Sequence, residues 1–152
     1  MLDPAIVAVS AGLTAVLAWI AWIDARQLRI PDGLSLPLIG AGLVVAVLLP
    51  GRPLIDHLAG AAVGYAVFAL IGAWFFRQRG VEGLGLGDAK LLAAAGAWLG
   101  WQALPWVVAL GSLGALGFAL ARPSAGRGDP VAFGPWLALA FALVWIKTRL
   151  IG

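Results

Sequence analysis

Residues 91–121 read LLAAAGAWLGWQALPWVVALGSLGALGFALA, a run of 31 positions without a charge. As one straight helix it would extend about 46 Å at 1.5 Å per residue, too long for a hydrocarbon layer of about 30 Å without strong tilt. Its middle, Gly100-Trp101-Gln102-Ala103-Leu104-Pro105, supplies glycine and proline as breakers and two tryptophans suited to an interface. The run therefore predicts a tight hairpin between a short helix from about Asp88 to Gly100 and a second from about Leu104 to Ala121.

Uncharged runs also cover 5–23, 33–51 and 58–76, each 19 residues, and 130–146. Nineteen residues make a helix of about 28 Å, which matches the hydrocarbon thickness. With a final span at about 131–148, the expectation is an all-α polytopic membrane protein of about six transmembrane helices in a compact bundle. A chain of 152 residues then has room for a single membrane-embedded domain, 1–152, and little else.

Composition agrees. Hydrophobic residues make up 62% of the chain and charged residues 11%, where a soluble domain carries about a quarter charged. Mean hydropathy is +1.00. The N-terminus, Met1-Leu2-Asp3-Pro4, has no basic n-region, so the first apolar stretch is expected to remain as a span and not to act as a signal peptide. The net charge of +3 does not mark a nucleic-acid binder, because the Lys and Arg residues form no stripe. They signal topology instead. With the Asp24–Asp32 loop in the cytoplasm, Arg26, Arg29, Arg77, Arg79, Lys90, Arg122 and Arg127 fall on that side, leaving Arg52, Lys147 and Arg149 outside. A five-span arrangement exchanges Arg122 and Arg127 for Lys147 and Arg149, so charge orients the first four helices without fixing their number. Cysteine is absent, which excludes disulfides and thiolate chemistry, and a single histidine, His57, placed outside, excludes a histidine-rich zinc site. Gly60 and Gly64 form a small-xxx-small pattern, which serves close helix packing, with homodimerisation through it as the alternative.

Against this background two carboxylates stand out, Asp24 near the end of the first span and Asp88 near the start of the fourth. Ionisable residues at membrane depth are costly, and their default meaning is function. Two carboxyls from different rigid elements can share one proton, because like charges held close do not both ionise easily. One then takes a proton from water while the other donates to a carbonyl oxygen, the chemistry of amide hydrolysis. Each also has an ordinary reading: Asp88 as a helix N-cap, Asp24 as a helix-end acid paired with Arg26 or Arg29. Gly83, Gly85 and Gly87 alternate just before Asp88, where bare backbone lets a substrate strand or a second helix approach. A phosphate loop is disfavoured, since no strand precedes the glycines. A small transporter or channel, with the two acids relaying protons or binding a cation, is the competing class.

Gly85-Leu86-Gly87-Asp88 is a GxGD motif, followed by Ala89-Lys90-Leu91-Leu92. With Ile23-Asp24-Ala25-Arg26-Gln27-Leu28-Arg29-Ile30-Pro31-Asp32, Glu82-Gly83, Gly96-Ala97-Trp98-Leu99-Gly100-Trp101 and Phe133-Gly134-Pro135, the chain resembles the type IV prepilin peptidases, GxGD-type membrane aspartyl proteases. The resemblance runs from about residue 20 to 140. It implies a multi-pass protein of the bacterial inner membrane that removes the basic leader of prepilins or pseudopilins, for pili or type II secretion, at the cytoplasmic face. It implies Asp24 and Asp88 as the catalytic pair; no cofactor is expected, and no metal, because a hard cation would need more oxygen ligands than those two acids supply. Asp32, Glu82, Gly85, Gly87 and Lys90 are the surrounding or substrate-binding candidates, and Glu82, Asp32 and Asp129 the charges that could dock a basic leader. Longer members carry a cysteine-containing N-terminal domain associated with N-methylation. With no cysteine in this sequence, a peptidase-only form is expected.

Overall fold

The computed structural model describes residues 3–49, 51, 53–80, 85–121 and 132–151. Its described residues form six α-helices: α1 (Pro4–Gln27), α2 (Asp32–Leu48), α3 (Leu54–Arg79), α4 (Leu86–Leu99), α5 (Leu104–Ala121) and α6 (Gly134–Ile146). A 3₁₀ turn, Trp101–Ala103, joins α4 to α5, and a π-helical turn, Lys147–Ile151, follows α6. The break expected in the long uncharged run is real, with Gly100 at φ 83°, a conformation that favours glycine. The fourth helix starts two residues earlier than expected, at Leu86, and the sixth starts three later, at Gly134.

Among the described residues, three helical segments are long and apolar enough to cross a membrane: Pro4–Gln27, Leu54–Arg79 and Trp101–Ala121. Their outward surfaces are apolar too, with Trp19, Leu70, Trp74, Trp106 and Leu120 all exposed, as a lipid-facing protein requires. This is a membrane protein. At 14 residues α4 is about 21 Å long, short of a full crossing.

The chain divides into two compact units, Met1–Leu28 with Trp106–Gly152, and Arg29–Pro105. In the first unit α1 packs on α6, where the indole N–H of Trp145 donates to Ser10 Oγ at 2.8 Å inside the apolar interface. Helix α5 meets α6 through Gly111 and Gly114; a Cβ on Gly114 would sit 2.6 Å from the Trp136 ring.

In the second unit α4 lies between α2 and α3, and every residue from Leu91 to Gly100 is buried. Helices α3 and α4 run antiparallel with their backbones nearly touching. A Cβ on Gly60 would lie 2.5 Å from the Gly96 carbonyl oxygen, and one on Gly64 would lie 2.7 Å from that of Leu92. The Gly60/Gly64 pattern is thus spent on α4 within the chain, so a homodimer through that face would have to displace α4. Helix α2 runs parallel to α4, and Trp98 Nε1 donates to the Leu38 carbonyl at 2.8 Å over the bare Cα of Gly42. One end of this unit therefore gathers Asp32, Arg77, Arg79, Asp88 and Lys90. The other holds Asp56, whose carboxylate accepts from Gln102 Nε2 at 2.8 Å, and His57, whose Nδ1 bonds the Ala97 carbonyl at 2.9 Å.

Candidate active site

Asp24 stands one turn before the C-terminus of α1, and only 5% of it is exposed. A carboxylate so placed lies at the negative end of its own helix dipole and needs donors from elsewhere. The donor is a backbone amide: Gly134 N–H, first residue of α6, bonds Asp24 Oδ2 at 3.1 Å. Phe133 caps α6 and Pro135 occupies its first turn, where a missing N–H costs nothing. The Phe-Gly-Pro sequence thus sets a helix N-terminus against the carboxylate, leaving Oδ1 as the second acceptor. Pairing with Arg26 is not what holds Asp24, for the Arg26 guanidinium lies 4.7 Å from the centre of the Trp22 ring. Leu28, four residues on, closes α1 in the left-handed region at φ 52°, its N–H on the Asp24 carbonyl at 2.8 Å. A branched residue there is strained, and the strain marks the sharp exit from the helix that carries Asp24.

In the second unit Asp88 occupies the first turn of α4, half-buried. It is not the N-cap; that position belongs to Gly85, in ordinary extended backbone at φ −73°. Among the described residues, a Cβ on Gly85 would come no closer than ordinary contact with Asp88 Oδ2, at 3.8 Å, and the Gly87 nitrogen, at 3.9 Å. Gly87 is tighter. A Cβ there would sit 2.9 Å from Cβ of Ile30, because the segment after α1 presses on the first turn of α4.

Among the other expected residues, the structure brings Asp32 and Lys90 together in an ion pair at 2.5 Å. Asp32 opens α2 and is not a loop residue; Pro31 is the cap. As a docking charge for a basic leader, Asp32 is already engaged by Lys90. Glu82, Gly83 and Asp129 lie outside the described residues. Asp24 belongs to the first unit, and Asp32, Gly85, Gly87, Asp88 and Lys90 to the second. Gly134 is the partner of Asp24 that residue-by-residue reading missed. Its contribution is a backbone N–H, and its trace in the sequence is the Phe-Gly-Pro motif alone.

The chain is similar to several known proteins. The prepilin leader peptidase/N-methyltransferase of Aeromonas salmonicida (strain A449) is 46% identical over 140 residues, 88% of this chain and 47% of that protein. That of Escherichia coli (strain K12) is 46% identical over 134 residues, 82% of this chain and 59% of the relative. The protein of the same name from Dickeya chrysanthemi is 46% identical over 128 residues, 82% and 45% respectively. The chain spans about half the length of the curated relatives it matches. No solved structure matches it. The profile of the Type IV leader peptidase family covers residues 11–120, and the chain belongs to that family.

Proposed function

We propose that this chain is a membrane aspartyl endopeptidase, a single domain over 1–152, that removes the basic leader of type IV prepilins or pseudopilins. The relatives' names join two activities, and the peptidase is the one this chain's two aspartates can perform. The observation that carries the reading is the setting of Asp24: a buried carboxylate in the last turn of an apolar helix, held on one oxygen by the Gly134 amide. In the reaction, one carboxylate of the Asp24/Asp88 pair accepts a proton from water as that water attacks the scissile carbonyl carbon. The other, protonated, gives its proton to the carbonyl oxygen. The tetrahedral intermediate then collapses, the C–N bond breaks, and the departing amine takes up a proton from the pair.

Basic residues near the acids, Arg26 in the last turn of α1 and Arg77 and Arg79 in the last turn of α3, favour the cytoplasmic side for both ends under the positive-inside rule. The scissile bond would then meet the enzyme at the inner face of a bacterial cytoplasmic membrane, the substrate's apolar helix staying in lipid. No metal is needed, since a hard cation would require more oxygen ligands than two acids provide.

The test is cleavage in vitro. Purified protein in detergent or liposomes is mixed with a pilin-like chain bearing a basic leader, a glycine and then an apolar helix. A single cut after the glycine, unchanged by EDTA, is expected. An intact substrate would end the peptidase reading and return the two acids to ion or proton transport. Inactivation by EDTA, reversed by one divalent ion, would replace the dyad with a metal site.

A further inference from the structure

The first turn of α4 is a poor place to hold a reacting group steady. Within it the Asp88 N–H reaches the Gly85 carbonyl at 3.1 Å and the Ala89 N–H reaches the same oxygen only at 3.4 Å, a long bond for the start of a helix. Gly87 within it favours other conformations over the helix. Yet Asp88 must stay within a fraction of an ångström of its working position if it takes part in proton transfer. Two contacts from one short segment meet this turn. Ile30, buried, lies against the bare Cα of Gly87, and Asp32 bonds Lys90 Nζ at 2.5 Å.

Lys90 is two residues beyond Asp88, about 200° around the helix, so it is directed toward α2 and not along the face that carries Asp88. Its side chain is 20% exposed and that of Asp32 is 61% exposed. Ion pairs this open contribute little to stability. What this one offers is geometry. It joins the first turn of α4 to the start of α2 at the level of Asp88, while Ile30 lies against Gly87 from the segment just before α2. The segment doing so, residues 29–32, is the one that follows the exit from α1.

Resting on the peptidase reading above, we propose that Lys90 and Asp32 are positioning residues: their ion pair, with the Ile30–Gly87 contact, clasps the first turn of α4 and sets Asp88 for catalysis. Neither touches substrate. This separates the clasp from a role in docking the basic leader, which would draw Asp32 away from Lys90 and act on substrate affinity.

The experiment compares Lys90→Met, Asp32→Asn, the conservative Lys90→Arg and Asp32→Glu, and the reversed pair Asp32→Lys with Lys90→Glu. The clasp predicts roughly a tenfold loss of kcat with unchanged KM in Lys90→Met, activity near wild type in the conservative variants, and recovery in the reversed pair above either of its single changes. A rise in KM at constant kcat would assign Asp32 to docking. A reversed pair no better than its single changes, or wild-type kcat in Lys90→Met, would overturn the clasp while leaving the peptidase reading intact. A second readout does not depend on cleavage. Because the chain has no cysteine, Asp88→Cys offers one thiol, whose labelling rate should change when Lys90→Met is added and return in the reversed pair. An unchanged rate would overturn the proposal even if no substrate is ever cut.

Discussion

Asp24 and Asp88 are the same residue type in opposite settings. Asp24 sits in the last turn of a 24-residue helix, buried, where its own helix dipole disfavours a negative charge. Asp88 sits in the first turn of a 14-residue helix, half-buried, where its own helix favours one. The first is held by a tertiary contact 110 residues away, the Gly134 amide; the second stands on a turn braced by Ile30 and by the Asp32–Lys90 pair. The contrast teaches where each is fragile. Asp24 depends on one backbone donor, whereas Asp88 depends on the packing of the helix beneath it.

The largest effect should come from breaking that packing. Gly96→Val would drive a side chain into the Gly60 backbone carbonyl, which cannot rotate away, and should cost about 3 kcal/mol or more. Hydrogen exchange should show protection lost over α3 and α4 while the α1–α6 pair keeps its own; uniform loss would mean the two regions are not separately fragile. Next is the donor to Asp24. Gly134→Pro removes the N–H and should lower kcat by roughly 10–100-fold, the worth of one hydrogen bond to a charged group. Gly134→Ala keeps the N–H and should retain more activity. If the two variants fall equally, the donor is not what matters. A smaller loss, several-fold and well short of that expected at Asp24 or Asp88, is expected for Asp32→Asn in the same assay. Smallest is Leu28→Gly. Relief of the left-handed leucine, offset by the freer unfolded chain, should raise stability by about 0.5–1 kcal/mol in a thermal scan.

Much of this architecture could be read from residues in order because its causes are local. The Gly100–Pro105 break, the apolar run lengths and the glycine spacing at 60 and 64 act within a turn or two of themselves. The GxGD motif located Asp88 for the same reason, although the helix it opens begins at Leu86, so that Asp88 is inside the first turn and not its cap. What could not be read is what depends on partners far along the chain. Asp32 and Lys90 are 58 residues apart, and no local pattern says that a docking candidate is already paired. His57, read only as a single histidine on the outer side, is buried against the Ala97 carbonyl, 40 residues on. Gly134 acts through a backbone atom common to almost every residue, so its chemistry is invisible in its side chain.

The central claim is that Asp24 and Asp88 act as one catalytic unit. The most direct test measures cleavage of a pilin-like chain by Asp24→Asn, Asp88→Asn and the double variant, each shown to be inserted and folded. An amide cannot exchange the proton the pair is proposed to share, so each single variant should fall to background and the double variant should fall no further. Wild-type cleavage in either single variant would remove that aspartate from the mechanism, and partial losses that add in the double variant would show two independent roles in place of one.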